Sequence, residues 1–256
     1  MKNLRNEFFH RLLIDRGVKK GLRVLDVGCG LGDISIMAAE LVGEAGEVVG
    51  FDISPEALAA AKKAVEEKCL SKVTFIQADI MELPKNLGVF DLIVGRRVLM
   101  YQNNAAQSIG HLLPFLSENG KMIFQESDGI AASFSSPMLP LHAKALNWIW
   151  SVVTKEGGNT HIGRQLYQEM KNAGLRISIL RAEAILHTCE SGSDLGWVAK
   201  MMAPRMFKHK VVRAEELEVE TLELRLQEEL QKSNIPFIRD MAFGICAEAG
   251  NGQDKQ

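Results

Sequence analysis

The chain has 256 residues, of which 46% are hydrophobic and 24% charged, a balance typical of a water-soluble globular protein. This length suffices for one large α/β domain with additions or for two smaller domains. The formal net charge of −2 argues against a chain-wide attraction to nucleic acid or to an acidic membrane, but it does not exclude a local basic patch.

The first half of the chain alternates short apolar runs with helical patterns. An amphipathic helix is predicted over residues 3–18, and the helix after the second apolar run has a good N-cap in Ser54. The helix after the fourth run is expected to continue to about Leu116. Five strands are predicted, over 22–27, 46–51, 73–77, 90–94 and 121–125. This alternation predicts right-handed βαβ units and a parallel, doubly wound α/β sheet.

The second half has a different pattern, in which two further predicted strands are separated by a long helical insertion. We predict, in order, a loop over 129–140, helices over 141–154 and 163–173, a strand over 176–186, helical structure over 191–233 and a last strand over 237–247. Most connections between strands are short, so an insertion of this length is more typical of a lid than of a linker.

These patterns predict four parts of the chain. They are an N-terminal helix flanking the site (1–20), a cofactor-binding domain (21–190 and 234–249), a helical insertion that acts as a lid (191–233) and a disordered tail (250–256).

Three glycines follow the first predicted strand at alternate positions, in the stretch "VLDVGCGLGD" from Val24 to Asp33. Glycine suits backbone that approaches a ligand closely or has a positive φ. A nicotinamide-dinucleotide loop follows G-x-G-x-x-G/A, but the third position counted from Gly28 is Asp33. Asp26 also precedes the glycines, and a carboxylate suits an ammonium group better than a pyrophosphate. The pattern favours S-adenosylmethionine, which has an amino-acid end and no phosphate.

Acidic residues also close the second and third predicted strands. Asp52 stands where a carboxylate accepts the ribose hydroxyls of either cofactor class, so it does not discriminate between them. Asp79 is placed to accept the adenine amino group, with Ile53 and Ile80 as apolar faces for the ring. A lone aspartate at a strand end is more often a turn former or a helix cap. Three at the carboxyl ends of successive strands, beside a glycine loop, indicate a ligand site.

Four stretches together resemble the successive motifs of the class I S-adenosylmethionine-dependent methyltransferases. They are "VLDVGCGLGD", "VVGFDISPEAL", "VTFIQADIMELP" and "FDLIVGRRVLMY", and the resemblance covers roughly residues 5–128. It is nearest to the small-molecule branch that includes quinone-biosynthesis C-methyltransferases. The resemblance implies a Rossmann-like sheet of seven strands, mostly parallel, with the last strand antiparallel and placed between the fifth and sixth. The long helical insertion between the last two strands departs from the family core.

The same resemblance implies the cofactor contacts. They are Asp26, Gly28, Gly30 and Gly32 at the methionine end, Asp52 and Ile53 at the ribose and ring, Asp79 and Ile80 at the adenine, and the backbone around Gly95 and Arg96 near the methionine amine and sulfonium.

Methyl transfer from a sulfonium is an in-line displacement, so it depends mainly on positioning and needs a general base only if the nucleophile must lose a proton. Tyr101 and Glu126 are candidates for the substrate side, because both follow strands that end at the predicted rim. Asp128 and four histidines lie on the same or flanking segments: His10, His161, His187 and His209. No catalytic base and no metal site are predicted.

The predicted insertion contains a basic run, "MAPRMFKHKVVR", followed by an acidic one. The basic run is consistent with an acidic substrate, a membrane surface or, more often, a solvated helix with charge pairs. Apolar residues of the same stretch either line a lipophilic pocket or bury against the sheet: Trp197, Met201, Met202 and Met206.

The sequence leaves two rivals to a small-molecule methyltransferase. A nicotinamide-dependent oxidoreductase is opposed by Asp26 and by the missing third glycine, and a non-catalytic S-adenosylmethionine-binding regulator has no opposing signal. Methylation of nucleic acid is disfavoured, because the chain has neither a basic excess nor an Asn/Asp-Pro-Pro-aromatic motif. The four cysteines form no CxxC pair, and the charged N-terminal residues do not resemble a signal peptide. We therefore expect a cytoplasmic chain without stable membrane insertion; the sequence does not indicate its oligomeric state.

Overall fold

The computed structural model describes residues 4–130 and 138–249. Seven strands form one sheet in the order β3-β2-β1-β4-β5-β7-β6. Six strands are parallel and the last is antiparallel, which confirms the predicted fold class. The strands are β1 (Arg23–Val27), β2 (Glu47–Asp52), β3 (Val73–Gln77), β4 (Phe90–Arg96), β5 (Leu116–Asp128), β6 (Leu175–His187) and β7 (Phe237–Ala249).

Nine α-helices lie before and between these strands within the described residues. They are α1 (Leu4–Asp15), α2 (Asp33–Val42), α3 (Pro55–Glu67), α4 (Ala105–Leu112), α5 (Pro140–Lys155), α6 (Ile162–Asn172), α7 (Leu195–Lys208), α8 (Ala214–Leu217) and α9 (Val219–Ser233). Ser54 caps α3 as predicted, since its hydroxyl accepts from the backbone N–H of Ala57 at 3.1 Å. The predicted tail at 250–256, and residues 131–137 of the predicted loop, lie outside the described part of the chain.

The contacts divide the chain into two compact units. The first, here called the sheet unit, contains Asn6–Glu126, Arg164–Arg181 and residues 243–249. The second, here called the helical unit, contains residues 127–130, 138–163 and 182–242 among those that the structure describes.

The sheet unit is built around the central strands. β1 lies between β2 and β4 in parallel, with Asp26 opposite Gly50 on one side and Val94 on the other. One apolar cluster packs α1 and α2 against the strands, as expected where helices cover the faces of a parallel sheet. It includes Phe9, Leu12 and Leu13 of α1, Val24 of β1, Ile34, Ala38 and Val42 of α2, Val48 of β2, Leu92 and Val94 of β4, and Ile123 of β5.

The segment between β4 and β5 corrects a prediction. The sequence predicts one helix that continues to about Leu116, but α4 begins only at Ala105, where the side chain of Asn104 accepts from the N–H of Gln107 at 2.9 Å. β5 then starts at Leu116, much earlier than residue 121. Leu116 pairs with Phe90 and Lys121 with Leu92, so β5 carries extra residues between the two pairs, as in a bulge.

The helical unit is a packed set of α5, α7 and α9. α9 buries Leu222, Leu226 and Leu230, spaced four residues apart on one face. His142 of α5 lies within 2.7 Å of the Glu229 carboxylate. Among the helices of the described residues, none combines the length and the hydropathy that crossing a bilayer requires.

Candidate functional site

A cavity of about 560 Å³ opens in the sheet unit, beyond the carboxyl ends of β1 to β4. This volume lies within the range of roughly 300–1,000 Å³ typical of small-molecule sites. Six of the residues predicted from the sequence line it: Gly28, Asp52, Ile53, Asp79, Ile80 and Tyr101. Six others do not: Asp26, Gly30, Gly32, Gly95, Arg96 and Glu126.

The glycine loop follows β1, and of its three glycines Gly28 is the one that lines the cavity. Gly28, Gly30 and Gly32 all have positive φ, at 62°, 53° and 87°, a region that side-chain-bearing residues rarely adopt. A Cβ at Gly28 would lie 2.6 Å from Cγ2 of Val98, so a side chain would collide with the loop after β4. The positive φ therefore favours glycine at all three positions, and close packing favours it at Gly28 as well.

Asp52 joins this loop to the end of β2. Its Oδ2 accepts the backbone N–H of Gly30, and its Oδ1 accepts that of Ser54, both at 2.9 Å. Each ionised carboxylate oxygen has two acceptor sites, so capacity is left for ligand hydroxyls. Asp52 is half-buried and lines the cavity, which places a fixed negative charge at its wall.

The next two walls come from residues after β2 and β3. Ile53 is 66% exposed, whereas Ile80 is 4% exposed, and both line the cavity. Asp79 also forms a turn, because its Oδ1 accepts the N–H of Met81 at 2.8 Å. The turn-forming interpretation and the ligand-site interpretation of this aspartate are thus compatible in the structure.

Asp26 is buried and has a partner of its own. The hydroxyl of Ser35, in the first turns of α2, donates to its Oδ2 at 2.5 Å. Burial raises the pKa of Asp26 to about 7, against the opposing effect of the Ser35 hydrogen bond. Asp26 therefore links β1 to α2, and its carboxyl group exchanges a proton near neutral pH.

Gly95 and Arg96, at the end of β4, do not contribute to the cavity lining. A Cβ at Gly95 would lie 2.5 Å from Cε1 of Phe124. The Arg96 guanidinium donates to Oδ1 of Asn6 and, at 3.2 Å, to Oδ2 of Asp33. Arg96 thus ties α1 and the start of α2 to the sheet, and burial lowers its pKa.

Glu126, near the end of β5, is fully buried under the segment that follows β4. Its Oε1 accepts the N–H groups of Val98 at 2.9 Å and of Leu99 at 2.7 Å, whereas Oε2 is buried with no hydrogen-bond partner among the described residues. Burial raises the pKa of Glu126 to about 7. Its Oε1 thus holds the backbone of Val98, which lines the cavity, and of the neighbouring Leu99.

Sequence reasoning missed Arg97. This residue lines the cavity and has a φ of 57°, and its N–H donates to the carbonyl of Gln125 at 2.9 Å. Its Nε is buried with no hydrogen-bond partner among the described residues. The polar run after Tyr101 was also missed, since Gln102, Asn103 and Asn104 line the same cavity. The only signal for these residues was their position directly after a strand that ends at the site.

The cavity therefore combines carboxylates and apolar walls with a single arginine among its described lining residues, Arg97. Carboxylates at the ends of adjacent parallel strands suit hydroxyl and amino groups of a ligand, and the isoleucines suit a flat ring.

The comparison with known families agrees with this arrangement. The chain matches the family described as "Methyltransferase domain" over residues 18–174, more than half of its length, and it belongs to that family.

Two curated relatives are named for quinone chemistry. A demethylmenaquinone methyltransferase of Lactococcus lactis is 30% identical over 125 residues, 49% of this chain and 47% of the relative. A ubiquinone/menaquinone biosynthesis C-methyltransferase of Francisella philomiragia is 26% identical over 170 residues, 61% of this chain and 65% of the relative. The chain thus spans about half to two thirds of the length of these relatives.

A solved structure shares the fold. An S-adenosylmethionine-dependent methyltransferase of Aquifex aeolicus superposes with a TM-score of 0.57 at 15% identity, over 93% of this chain and 88% of the other.

Proposed function

We propose that this chain transfers a methyl group from S-adenosylmethionine to a small-molecule acceptor. The observation that carries the proposal is Asp52, a carboxylate fixed at the cavity wall by the N–H groups of Gly30 and Ser54. This fixed acceptor beside a glycine loop of positive φ fits the ribose of the cofactor. The cavity walls at Ile53 and Ile80 fit its adenine ring.

Four further roles in that fit are proposed for predicted cofactor residues. Asp52 holds the ribose hydroxyls and Asp79 the adenine amino group, while Gly28 leaves room for the backbone to approach the ligand. Asp26 lies outside the cavity lining, and its ionised form favours the ammonium group of the methionine end. When bound, the cofactor supplies a methyl group on a positively charged sulfur, which is already an activated leaving group.

The protein's own contribution is then orientation and exclusion of water. Methyl transfer needs the nucleophile in line with the sulfur–carbon bond, and a positioned reactant gains most of its rate from proximity. Glu126 fixes the backbone at Val98 and Leu99, and Tyr101 extends the same wall. We propose Tyr101, which is 46% exposed, as a contact for the acceptor.

A quinone-type ring is the first acceptor to test, because two relatives are named for demethylmenaquinone or for ubiquinone and menaquinone. The test is incubation with trideuteromethyl-labelled S-adenosylmethionine and demethylmenaquinol, followed by mass spectrometry. A product carrying the labelled methyl group on the ring supports the proposal. Tight cofactor binding with no transfer to any acceptor in a panel would support a non-catalytic regulator instead.

The interpretation of residues 191–233 as a lid stays a prediction. Replacement of this segment by a short linker is expected to raise the Michaelis constant for the acceptor while cofactor affinity changes only a fewfold. Complete loss of folded protein would show that the segment belongs to the core. Because α9 buries Leu222, Leu226 and Leu230, a partial truncation that retains α9 is the safer design.

A further inference from the structure

The helix α7 has an apolar face that points outward. Trp197, Met201 and Phe207 are 53%, 58% and 41% exposed, and these residues are here called the α7 face. The intervals from Trp197 to Met201, Pro204 and Lys208 follow the helical repeat, so these positions share one side of the helix, and Phe207 borders it. Large apolar side chains on the outside of a surface helix mark a contact site.

The opposite side of α7 already supplies the core of the helical unit. Val198, Ala199, Met202 and Met206 are 8%, 0%, 9% and 0% exposed. The sequence left open whether the apolar residues of this stretch line a pocket or are buried. Met202 and Met206 are buried in the helical unit, whereas Trp197 and Met201 are exposed. The α7 face is thus surplus to the packing of this unit.

A cluster of cations lies at the carboxyl end of the same helix. Residues 195–213 contain five lysines and arginines and no aspartate or glutamate, in a chain whose net charge is −2. Lys208, Lys210 and Arg213, here called the basic cluster, are exposed and form no ion pair within residues 4–130 and 138–249. Their charges are directed to solvent.

The acidic helices beside α7 do not neutralise this cluster. Several of their carboxylates are engaged by other cations of the helical unit: Glu216 by Lys144 at 2.6 Å, Glu218 by Arg225 at 3.1 Å and Glu220 by Lys200 at 3.0 Å. Glu215 is the exposed acid nearest in sequence to Arg213. Glu215 and Glu223 are the exposed acids of α8 and α9 that form no ion pair within the described residues, so the three cations of the basic cluster outnumber them.

We propose that the α7 face and the basic cluster together dock this protein on the surface of an anionic lipid bilayer. Tryptophan and phenylalanine are the side chains that settle at the boundary between headgroups and acyl chains. Lysine and arginine next to them are attracted by anionic headgroups. Attachment of this kind is peripheral and reversible, since a helix lying in the interface does not span the membrane.

A second copy of the chain is the main competing occupant. In a two-fold dimer formed through this face, the basic clusters of both copies come together, and the repulsion disfavours it. An anionic bilayer instead provides complementary charge and an apolar layer in the same place. Charge complementarity therefore selects the lipid surface.

Trp197 provides a direct probe, because the other two tryptophans, Trp148 and Trp150, are both 7% exposed. The full chain is mixed with vesicles of phosphatidylcholine and phosphatidylglycerol, and with vesicles of phosphatidylcholine alone. The proposal predicts sedimentation with the anionic vesicles only, weakened by salt. It also predicts that brominated acyl chains quench tryptophan emission in the parent protein and not in Trp197→Phe.

Two paired variants separate the parts of the surface. Lys208→Glu with Lys210→Glu is expected to lower binding to the anionic vesicles at least about tenfold. The matched control, Lys62→Glu with Lys72→Glu, reverses two exposed lysines of the sheet unit and is expected to leave binding unchanged. Trp197→Ser with Met201→Ser tests the apolar part, and Tyr167→Ser, at an exposed position of α6, is its control.

Folding of each variant is checked by its thermal transition, and because all the substituted side chains are exposed we expect transitions close to the parent. Equal sedimentation with both kinds of vesicle, or none, would overturn the proposal. Binding that the Lys208 and Lys210 reversal leaves intact would also overturn it. A monomer–dimer shift caused by Trp197→Ser with Met201→Ser, without any change in vesicle binding, would assign the face to self-association and so contradict the inference.

Discussion

Asp52 shows how a single side chain organises the site. Its two oxygens each accept one backbone N–H, and the two donors, Gly30 and Ser54, belong to the loops after β1 and β2. The carboxylate therefore fixes both loops and still presents acceptor capacity to the cavity. A ligand with vicinal hydroxyls gains two hydrogen bonds to a charged acceptor that is already in position.

Asp52→Ala is expected to weaken binding of S-adenosylhomocysteine by about 3 kcal/mol, more than a hundredfold, because two hydrogen bonds to a charged group are lost. Calorimetric titration measures the change. Asp91→Ala is the matched control, since Asp91 also accepts a backbone N–H, from Arg23 at 2.9 Å, but lies at the amino end of β4. Unchanged affinity in a folded Asp52→Ala protein would remove this residue from the site.

Glu126 is a buried acid whose folded-state pKa lies above its ordinary value. Burial raises the pKa from 4.5 to about 7, while the N–H groups of Leu99 and Val98 oppose the shift. The folded state thus holds a proton that the unfolded state releases between these values. The stability that this proton contributes is present in full below pH 4.5 and is lost as the pH rises to about 7.

Glu126→Gln keeps an acceptor oxygen for both N–H groups and removes the titration. The fall in unfolding free energy between pH 5 and pH 8 is expected to shrink by on the order of 3 kcal/mol in the variant. Urea unfolding at several pH values measures it. Asp26, whose pKa is also raised to about 7, contributes a fall of the same sign that remains in the variant. An identical pH slope in both proteins would contradict the assignment to Glu126.

The sequence predicted the cavity residues that follow β2 and β3 better than those that follow β4. Asp52, Asp79, Ile53 and Ile80 line the cavity because strand ends in a parallel sheet meet at one edge, a rule that needs no coordinates. Arg97 could not be found in this way. Arg97 has a positive φ, a conformation that is uncommon for arginine and that its residue type does not predict.

The element that carries the site is the turn from β1 into α2. Gly28 and Gly32 have positive φ, and Gly32 precedes the first residue of α2 in a left-handed conformation. The space at Gly28 is filled by Val98, so the loop after β1 and the loop after β4 are in direct contact. At Gly28, both the positive φ and the contact with Val98 therefore disfavour any larger residue.

Gly28→Ala is expected to lower the free energy of unfolding by about 2 kcal/mol and to abolish tight cofactor binding, since both strain and a collision are introduced. Gly110→Ala is the control, because Gly110 lies in α4 and an added Cβ there would meet no heavy atom within 4 Å. At that position alanine is expected to stabilise the fold by about 0.5–1 kcal/mol. Denaturant unfolding measures both. Equal effects of the two substitutions would argue against the packing described at Gly28.

Element boundaries were least predictable where two signals compete. The fifth strand is predicted to begin at residue 121, yet the preceding Gly120 already lies inside β5, near the irregular pairing with Phe90 and Leu92. A bulge tolerates glycine and polar residues in a strand, so local composition resembles a turn. In the 191–233 stretch, positive φ at Lys210 and Glu218 divides the helical pattern into α7, α8 and α9, which periodicity alone does not show.

For the whole molecule, the order of strands followed from alternation and from the family resemblance. Alternating strands and helices predict a parallel sheet, but residue patterns do not reveal that β7 lies between β5 and β6, because that placement depends on pairing between distant segments. The exposed α7 face was equally out of reach, since periodicity shows that a helix is amphipathic and not which apolar residues its neighbours leave uncovered.

The proposed activity depends first on whether the cavity at the carboxyl ends of β1 to β4 binds S-adenosylmethionine. The most direct test is calorimetric titration of the purified protein with S-adenosylmethionine, S-adenosylhomocysteine and NADH under one set of conditions. We expect micromolar or tighter binding of the two adenosyl sulfur compounds and no binding of NADH. Binding of NADH alone would contradict the proposed activity and would mean that Asp26 and the glycine loop serve a dinucleotide.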